Sequence, residues 1–441
     1  MKTEKNCLQE FARYASFNVL GMLGLSCYIL ADTYFISKGL GADGLTALNL
    51  AIPVYSMIHG CGLMAGMGGG TRYAIQKSLG DSGLTDRLFT NAVMLAGGLA
   101  ILFVAIGVFG TDGITKLLGA DASVYGMTRT YLRMILLFSP AFLMNNVLLC
   151  FVRNDGSPQR SMRAMLAGSL SNVILDYIFI FPCGMGIFGA VLATCLAPLI
   201  SLLLLSPHLL KKENQFHFTR CKPEFQWIAA ILASGVPSLV TELSSGIVMI
   251  VFNMLILFLR GNTGVAAYGI IANLSLVVVS IYTGIAQGMQ PVISKHYGAG
   301  EPQSVRAALR YALVSMLAVS ILIYAGIFFY ADFVSAIFNK DKDQTLQNIA
   351  VEGLRLYFLS CPFAGFNIVS CAYFTSAARP LPANIISILR GFVIILPFAF
   401  LFSMVWGMTG IWCALPCTEL FVAGIGILFF RKIQTAAACS Y

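Results

Sequence analysis

A carboxylate, an amide and a hydroxyl stand inside a stretch that is otherwise apolar. Asn172 and Asp176 are four residues apart, so on a helix they share one face. Thr194 follows eighteen residues after Asp176. The run from Ala164 to Leu205 around them is broken at Pro182-Cys183-Gly184-Met185-Gly186 and reads as a hairpin of two membrane-spanning helices. Asp176 lies nine residues before Met185 and Thr194 nine after it. Equal distances from the turn mean similar depth, about 13 Å below it at 1.5 Å per residue. Asn172 or Thr194 alone would be read as a hydrogen bond between packed helices. A carboxylate at that depth costs roughly 2.5–3.5 kcal/mol on insertion scales, which makes Asp176 with both neighbours a functional-site expectation.

The elements that must position these groups follow from composition. The chain has 441 residues, 58% hydrophobic and 11% charged, with mean hydropathy +0.81. Soluble domains carry about 25% charged residues, so this is a polytopic membrane protein. Twelve apolar segments of roughly 20 residues or more can span a bilayer. They fall near 14–36, 45–71, 88–110, 130–152, 161–181, 187–208, 228–259, 264–294, 306–330, 352–375, 383–404 and 407–430. Helices are the expected form, because backbone groups in lipid must bond internally.

Of the 28 Lys and Arg, twenty fall on the side of the N-terminus, among them Arg72, Lys77, Arg153, Lys212, Lys295 and Arg390. Eight, including Lys38, Lys116, Arg133, Lys340, Lys342 and Arg355, fall on the other. The bias places both termini in the cytoplasm and accounts for the net charge of +9 without a nucleic-acid partner. The twelve cysteines, Cys439 included, form no CxxC pair; Cys413 and Cys417 lack the further ligands of a zinc site. They read as small apolar residues.

The longest polar connection, Lys211 to Gln226, divides the chain into six spans and six. The halves echo one another. Leu45-Thr46-Ala47 is matched by Val265-Ala266-Ala267, and Gly80-Asp81 by Gly300-Glu301, at an offset of 220. Pro140 and Asn145 are matched by Pro362 and Asn367 at 222. The expected fold is an all-α membrane protein: lobes at 14–210 and 228–431, joined by a cytoplasmic linker at 211–227 and related by a parallel pseudo-two-fold repeat. Parallel repeats place a substrate site at their interface and permit alternating access. The glycines from Gly60 to Gly70 lack the Lys-Ser/Thr of a phosphate loop and suit close helix packing or bending.

Asp32 lies about eight residues before Gly39–Gly41, close to the depth of Asp176 and Thr194. The segment Ala31-Asp32-Thr33-Tyr34-Phe35-Ile36 precedes Leu40-Gly41-Ala42 and Leu45-Thr46-Ala47. Together they resemble the first-span signature of the multidrug and toxic compound extrusion (MATE) transporters. The Gly-rich second span ending in Gly80-Asp81 and the turn Arg153-Asn154-Asp155-Gly156-Ser157-Pro158 are similar to that family too. The resemblance covers about 14–430 and is nearest in character to prokaryotic MepA-like and DinF-like members. It implies that Asp32, Asn172, Asp176 and Thr194 bind the coupling cation. Oxygen ligands suit a hard cation such as Na⁺, and the same carboxylates could carry a proton.

The resemblance further implies a bacterial inner-membrane exporter that exchanges Na⁺ or H⁺ for amphipathic, often cationic organic compounds, with no enzymatic activity and no cofactor. It would act as a monomer in the bilayer and confer antibiotic resistance. A lipid-linked precursor flippase on the same fold is the alternative, disfavoured by the acidic charge expected in the cavity. A membrane enzyme would need clustered His and Asp, whereas His59, His208, His217 and His296 are dispersed. Glu242, His59, Tyr34, Tyr268, Met289 and Asn367 are candidate substrate-binding or gating groups, since Met and aromatic surfaces suit varied apolar cations. Helix packing explains any one aromatic or Met as readily. Asn367 stands where some relatives have an acid, and Glu419 is an acid in the middle of the twelfth span.

Overall fold

The computed structural model describes residues 2–211, 214–339 and 343–438; Lys212, Lys340, Lys342 and Cys439 lie outside the described residues. All regular structure among the described residues is helical. The first half holds α1 (Lys2–Ser78), α2 (Ser82–Phe109), α3 (Thr111–Leu117), α4 (Tyr125–Leu137), α5 (Ser139–Asn154), α6 (Pro158–Ile180) and α7 (Gly186–Leu210). The second holds α8 (Phe225–Gly298), α9 (Pro302–Phe338), α10 (Gln344–Tyr357), α11 (Cys361–Ser376), α12 (Pro380–Ile388) and α13 (Ile395–Ala438). A 3₁₀ turn, Phe358–Ser360, joins α10 to α11, and a π-helical turn, Leu389–Val393, joins α12 to α13.

Eight helical stretches are long and apolar enough to cross a membrane, and α4 with α5, bent by 49°, makes a ninth. Three of the nine run for 73, 74 and 54 residues, far beyond the roughly 20 that one crossing needs. Each of these folds in two at a glycine of positive φ: Gly41 (69°), Gly261 (62°) and Gly407 (59°). Twelve spans result, in two six-helix lobes. Where a loop was expected between spans one and two, α1 runs on to Gly41 and turns there within a single residue. Gly41 and Gly261 share ψ −156°, a backbone region open almost only to glycine. No neighbouring atom enforces the choice, since a Cβ at either would meet nothing within 4 Å.

The repeat extends to the irregularities. Gly110 (φ −112°, ψ −3°) separates α2 from α3, and 220 residues on Tyr330 (φ −108°, ψ 17°) breaks α9. Phe138 separates α4 from α5, and its counterpart at the offset of 222, Ser360, closes the 3₁₀ turn before α11. Each lobe has its own core. One is built around Phe89, Phe151, Leu132 and Val191; the other around Tyr282, Phe358, Ile411 and Trp412. Large side chains such as Phe109 and Phe258 are almost wholly exposed, as a lipid-facing surface requires.

The lobes meet at the end that carries the N-terminus. Residues 7–15 of α1 pack into the second lobe's core, Phe11 against Tyr311. Near that end, Gly68 and Gly235 lie against each other's helices so closely that a Cβ on Gly68 would overlap the Ile231 carbonyl, and one on Gly235 that of Met64. Among the described residues, hydrogen bonds between the two lobes include Ser26–Ser280 (2.5 Å), Arg72–Ser234 (3.2 Å), Gln290–Thr71 (3.0 Å) and Lys295–Glu10 (2.8 Å). Each lies in the arm remote from Gly41 and Gly261.

The chain from Asn214 to Glu224 is strapped to the first lobe. Backbone N–H groups of Gln215, His217, Thr219 and Glu224 donate to Asp155, Asp86, Thr90 and Asn91. Phe216 is fully buried among Tyr73, Phe89, Phe151 and His208. Asp155, in the turn before α6, also accepts from Tyr73 (2.5 Å), Lys77 (2.6 Å) and faces His208 Nε2 (2.9 Å). Burial would raise its carboxyl, but these partners hold it below the usual carboxylate value.

Candidate functional site

Asp32 comes from the first arm of α1, Asn172 and Asp176 from α6, and Thr194 from α7. The structure brings all four together. All are buried, Asn172 and Asp176 completely. The Asn172 amide is oriented by its surroundings: Nδ2 donates to Asp176 Oδ2 at 3.0 Å, and Oδ1 accepts from the Thr194 backbone N–H at 3.1 Å. The carboxyl groups of Asp32 and Asp176 lie close enough to act on one another. Two ionised carboxylates side by side repel and only accept, so a proton or a cation between them would relieve both. Oδ1 of each Asp has no partner. Among the described residues, no basic side chain bears on either acid. Two orphaned carboxylate oxygens, an amide and a hydroxyl within one buried cluster form a donor set that fits a proton or Na⁺.

Tyrosines close this cluster, and sequence reasoning missed them. Tyr131 is buried beside Thr194. Tyr28, one turn before Asp32, shares a 2.9 Å hydroxyl contact with Tyr55. The spacing Tyr28-x₃-Asp32 was a usable signal; nothing in the sequence marks Tyr131.

A cavity of about 100 Å³ begins beside Thr194 and Tyr28 and runs between the lobes to Arg153 and Gln287. His59 and Glu242 line its wall from opposite lobes, His59 Nδ1 lying 3.5 Å from Glu242 Oε2. Tyr55 stacks on the His59 ring (5.8 Å, 13°). The other candidates lie elsewhere. Tyr34 is exposed beside Lys38, because its helix face turns away from α6 and α7. Tyr268 and Met289 are buried in the second lobe's core, Tyr268 between Phe252 and Trp412.

Asn367 is fully buried and donates to Glu419, to Oε2 at 2.7 Å and to the carbonyl at 2.9 Å. Glu419 also receives Arg390, Nη2 at 2.7 Å and Nε at 3.1 Å. Arg390 was counted with the basic residues outside the membrane. It sits instead in the π-helical turn within a span, where the extra residue of that turn aims its side chain at α13. Arg153, counted likewise, is buried at the end of α5.

Comparison with known proteins bears on the whole chain. The MatE family model matches residues 18–178 and 237–401. The multidrug export protein MepA of Staphylococcus saprophyticus is 26% identical over 422 residues, covering 94% of this chain and 92% of that protein. MepA of Staphylococcus aureus is 26% identical over 407 residues, covering 91% of this chain and 89% of its own. A solved structure of MATE in complex with MaL6 superposes with TM-score 0.91 at 25% identity, over 97% of this chain and 96% of that one. A MOP superfamily transporter from Pyrococcus furiosus, for which reversed polarity of the binding pocket suggested a different function, gives 0.89 at 24%, with the same coverage.

Proposed function

The chain belongs to the MatE family, and from that membership and its buried acid cluster we propose that it is a secondary active multidrug exporter. It exchanges Na⁺ or H⁺ for amphipathic, often cationic organic compounds. The observation that carries the coupling role is the facing pair Asp32 and Asp176, buried without a basic partner and supplied with Asn172 and Thr194. Such a pair exists in two charge states. An ion drives a conformational change only through different affinities in two conformations, and Asp32 shares one helical arm with the residues that seal the lobes together. His59 and Glu242, paired across the cavity, gate it or meet the substrate. The N-terminal lobe spans 14–210, the linker 211–227 and the C-terminal lobe 228–431. The protein sits as a monomer in the bacterial inner membrane with both termini cytoplasmic, so the sealed end faces inward.

The test is efflux of a fluorescent organic cation from vesicles holding the purified protein, with Na⁺ and pH gradients imposed separately. Efflux driven by one gradient and lost in Asp176→Asn and Asp32→Asn is expected and identifies the ion. Wild-type efflux by either variant would refute the coupling role.

A further inference from the structure

Arg153 is 1% exposed. Its Nη1 donates to Asn18 Oδ1 (2.8 Å) and, across the lobe interface, to Gln287 Oε1 (2.7 Å). Its Nη2 faces only sulfur, Met67 Sδ at 3.0 Å and Cys150 Sγ at 3.5 Å. Its Nε has no partner. Among the described residues no carboxylate pairs with it; the titratable groups that bear on it are Cys150 and Tyr14. Arg390, a half-buried arginine in the second lobe, receives a carboxylate on two of its nitrogens. A guanidinium cannot shed its proton, and a buried cation left without an anion is strongly destabilising. Two amide oxygens satisfy part of its donor capacity but none of its charge. Arg153 and Glu242 both line the cavity between the lobes.

We propose that Arg153 is an anion subsite, which takes the carboxylate of an amphipathic zwitterion whose cationic end lies toward Glu242. The inference rests on the export reading and adds a specificity-determining residue to it. A guanidinium presents its N–H groups as a planar fork that matches a carboxylate in two parallel bonds. Here the positions open to such a ligand are Nε, which is orphaned, and Nη2, which holds only weak sulfur acceptors. At about 100 Å³ the cavity is smaller than the roughly 300–1,000 Å³ of drug-sized pockets. Docking therefore accompanies spreading of the lobes, which loosens the bond from Arg153 Nη1 to Gln287. The ligand carboxylate meets Nε and Nη2 and supplies the guanidinium with an anion as that bond opens.

Equilibrium binding to the purified, detergent-solubilised protein tests this without relying on transport. The probes are rhodamine B, a zwitterion with a free carboxylate, and its ethyl ester, a cation of nearly the same shape. Arg153→Gln should weaken rhodamine B by about tenfold or more, the value of one charge-assisted hydrogen-bonded contact, and leave the ester within about twofold. Gln287→Glu supplies Arg153 with an internal carboxylate. It should weaken rhodamine B in the same way while thermal stability holds or rises, and it keeps the test open should Arg153→Gln fail to fold. Equal loss of both probes in either folded variant, or an unchanged preference for the acid over the ester in Gln287→Glu, would overturn the subsite. If the wild type binds the ester and moves it under no gradient, the export reading fails while the subsite stands or falls on the acid-to-ester ratio.

Discussion

Each lobe buries an acid deep among its helices, Asp176 in the first and Glu419 in the second, and the two are handled in opposite ways. Glu419 is neutralised by Arg390 and held by Asn367. Asp176 faces another acid, Asp32, and is met by an amide and a hydroxyl in place of a cation. The Glu419 arrangement is complete as it stands: its charge is balanced within the protein and nothing mobile is needed. The Asp176 arrangement is balanced only when something enters from outside. The repeat supplies both lobes with the same helices, and charge pairing alone makes one a candidate site and the other a balanced pair.

Breaking this contrast should give its largest effect on coupling. Asp176→Asn removes one of two mutually repelling groups, so gradient-driven efflux should vanish while thermal stability is unchanged or raised, read by unfolding of the solubilised protein. Glu419→Gln should do the reverse. It leaves Arg390 buried and unpaired, at a cost of about 3–5 kcal/mol, and replacing Arg390 and Glu419 together by leucine should restore most of that loss in the same melt. A stable Glu419→Gln variant that lost coupling would abolish the distinction between the lobes.

The linker sharpens the comparison, because it belongs mechanically to one lobe. Phe216→Ala empties a fully buried aromatic site and should cost about 3–5 kcal/mol. Hydrogen exchange should rise across 214–224 and in the helices around Phe89 and Phe151, with the second lobe's core unaffected. The smallest effect concerns the closed end, outside the membrane-spanning segments. The Glu10 carboxylate 3.5 Å from His296 Nε2, and Glu301 2.7 Å from its Nδ1, raise the imidazole above its usual value of about 6.5. The same contact with His296 pushes Glu10 down to about 2. The attraction is fully present below pH of about 6.5 and is lost as pH rises through the raised imidazole value. The glutamate's share persists until pH falls toward 2. Labelling of a cysteine placed at Ser78, inside this seam, should therefore quicken modestly on alkalinisation, and His296→Gln should flatten that dependence.

Much of this was legible in the sequence for one reason: a hairpin converts residue counting into depth. That put Asp176 and Thr194 at one level, and the same counting from Gly39–Gly41 added Asp32. Twelve spans followed from apolar run length, and the repeat from matching residues at a fixed offset. What counting does not give is azimuth. Tyr34 and Asp32 are two residues apart, and one faces out while the other faces the cluster. The contacts of Arg390 with Glu419 and of His59 with Glu242 join segments remote in the chain, and no periodicity encodes them. Counting basic residues by side of the membrane also hid Arg153 and Arg390, since that count weighs charges without asking what they touch.

One consequence of the unbroken first arm of α1 concerns leverage. Seventeen residues separate Asp32 from Ala15, where the arm lies against Gly288 in the sealed seam. That is about 26 Å of rigid helix. A rod of this length tilted by about 5° at one end swings the other by about 2 Å, close to the radius of a water molecule. Under the proposed coupling, a shift of a few tenths of an ångström around an ion at Asp32 would therefore be magnified by the rod itself, and the far seam would loosen or tighten without any helix changing its internal shape.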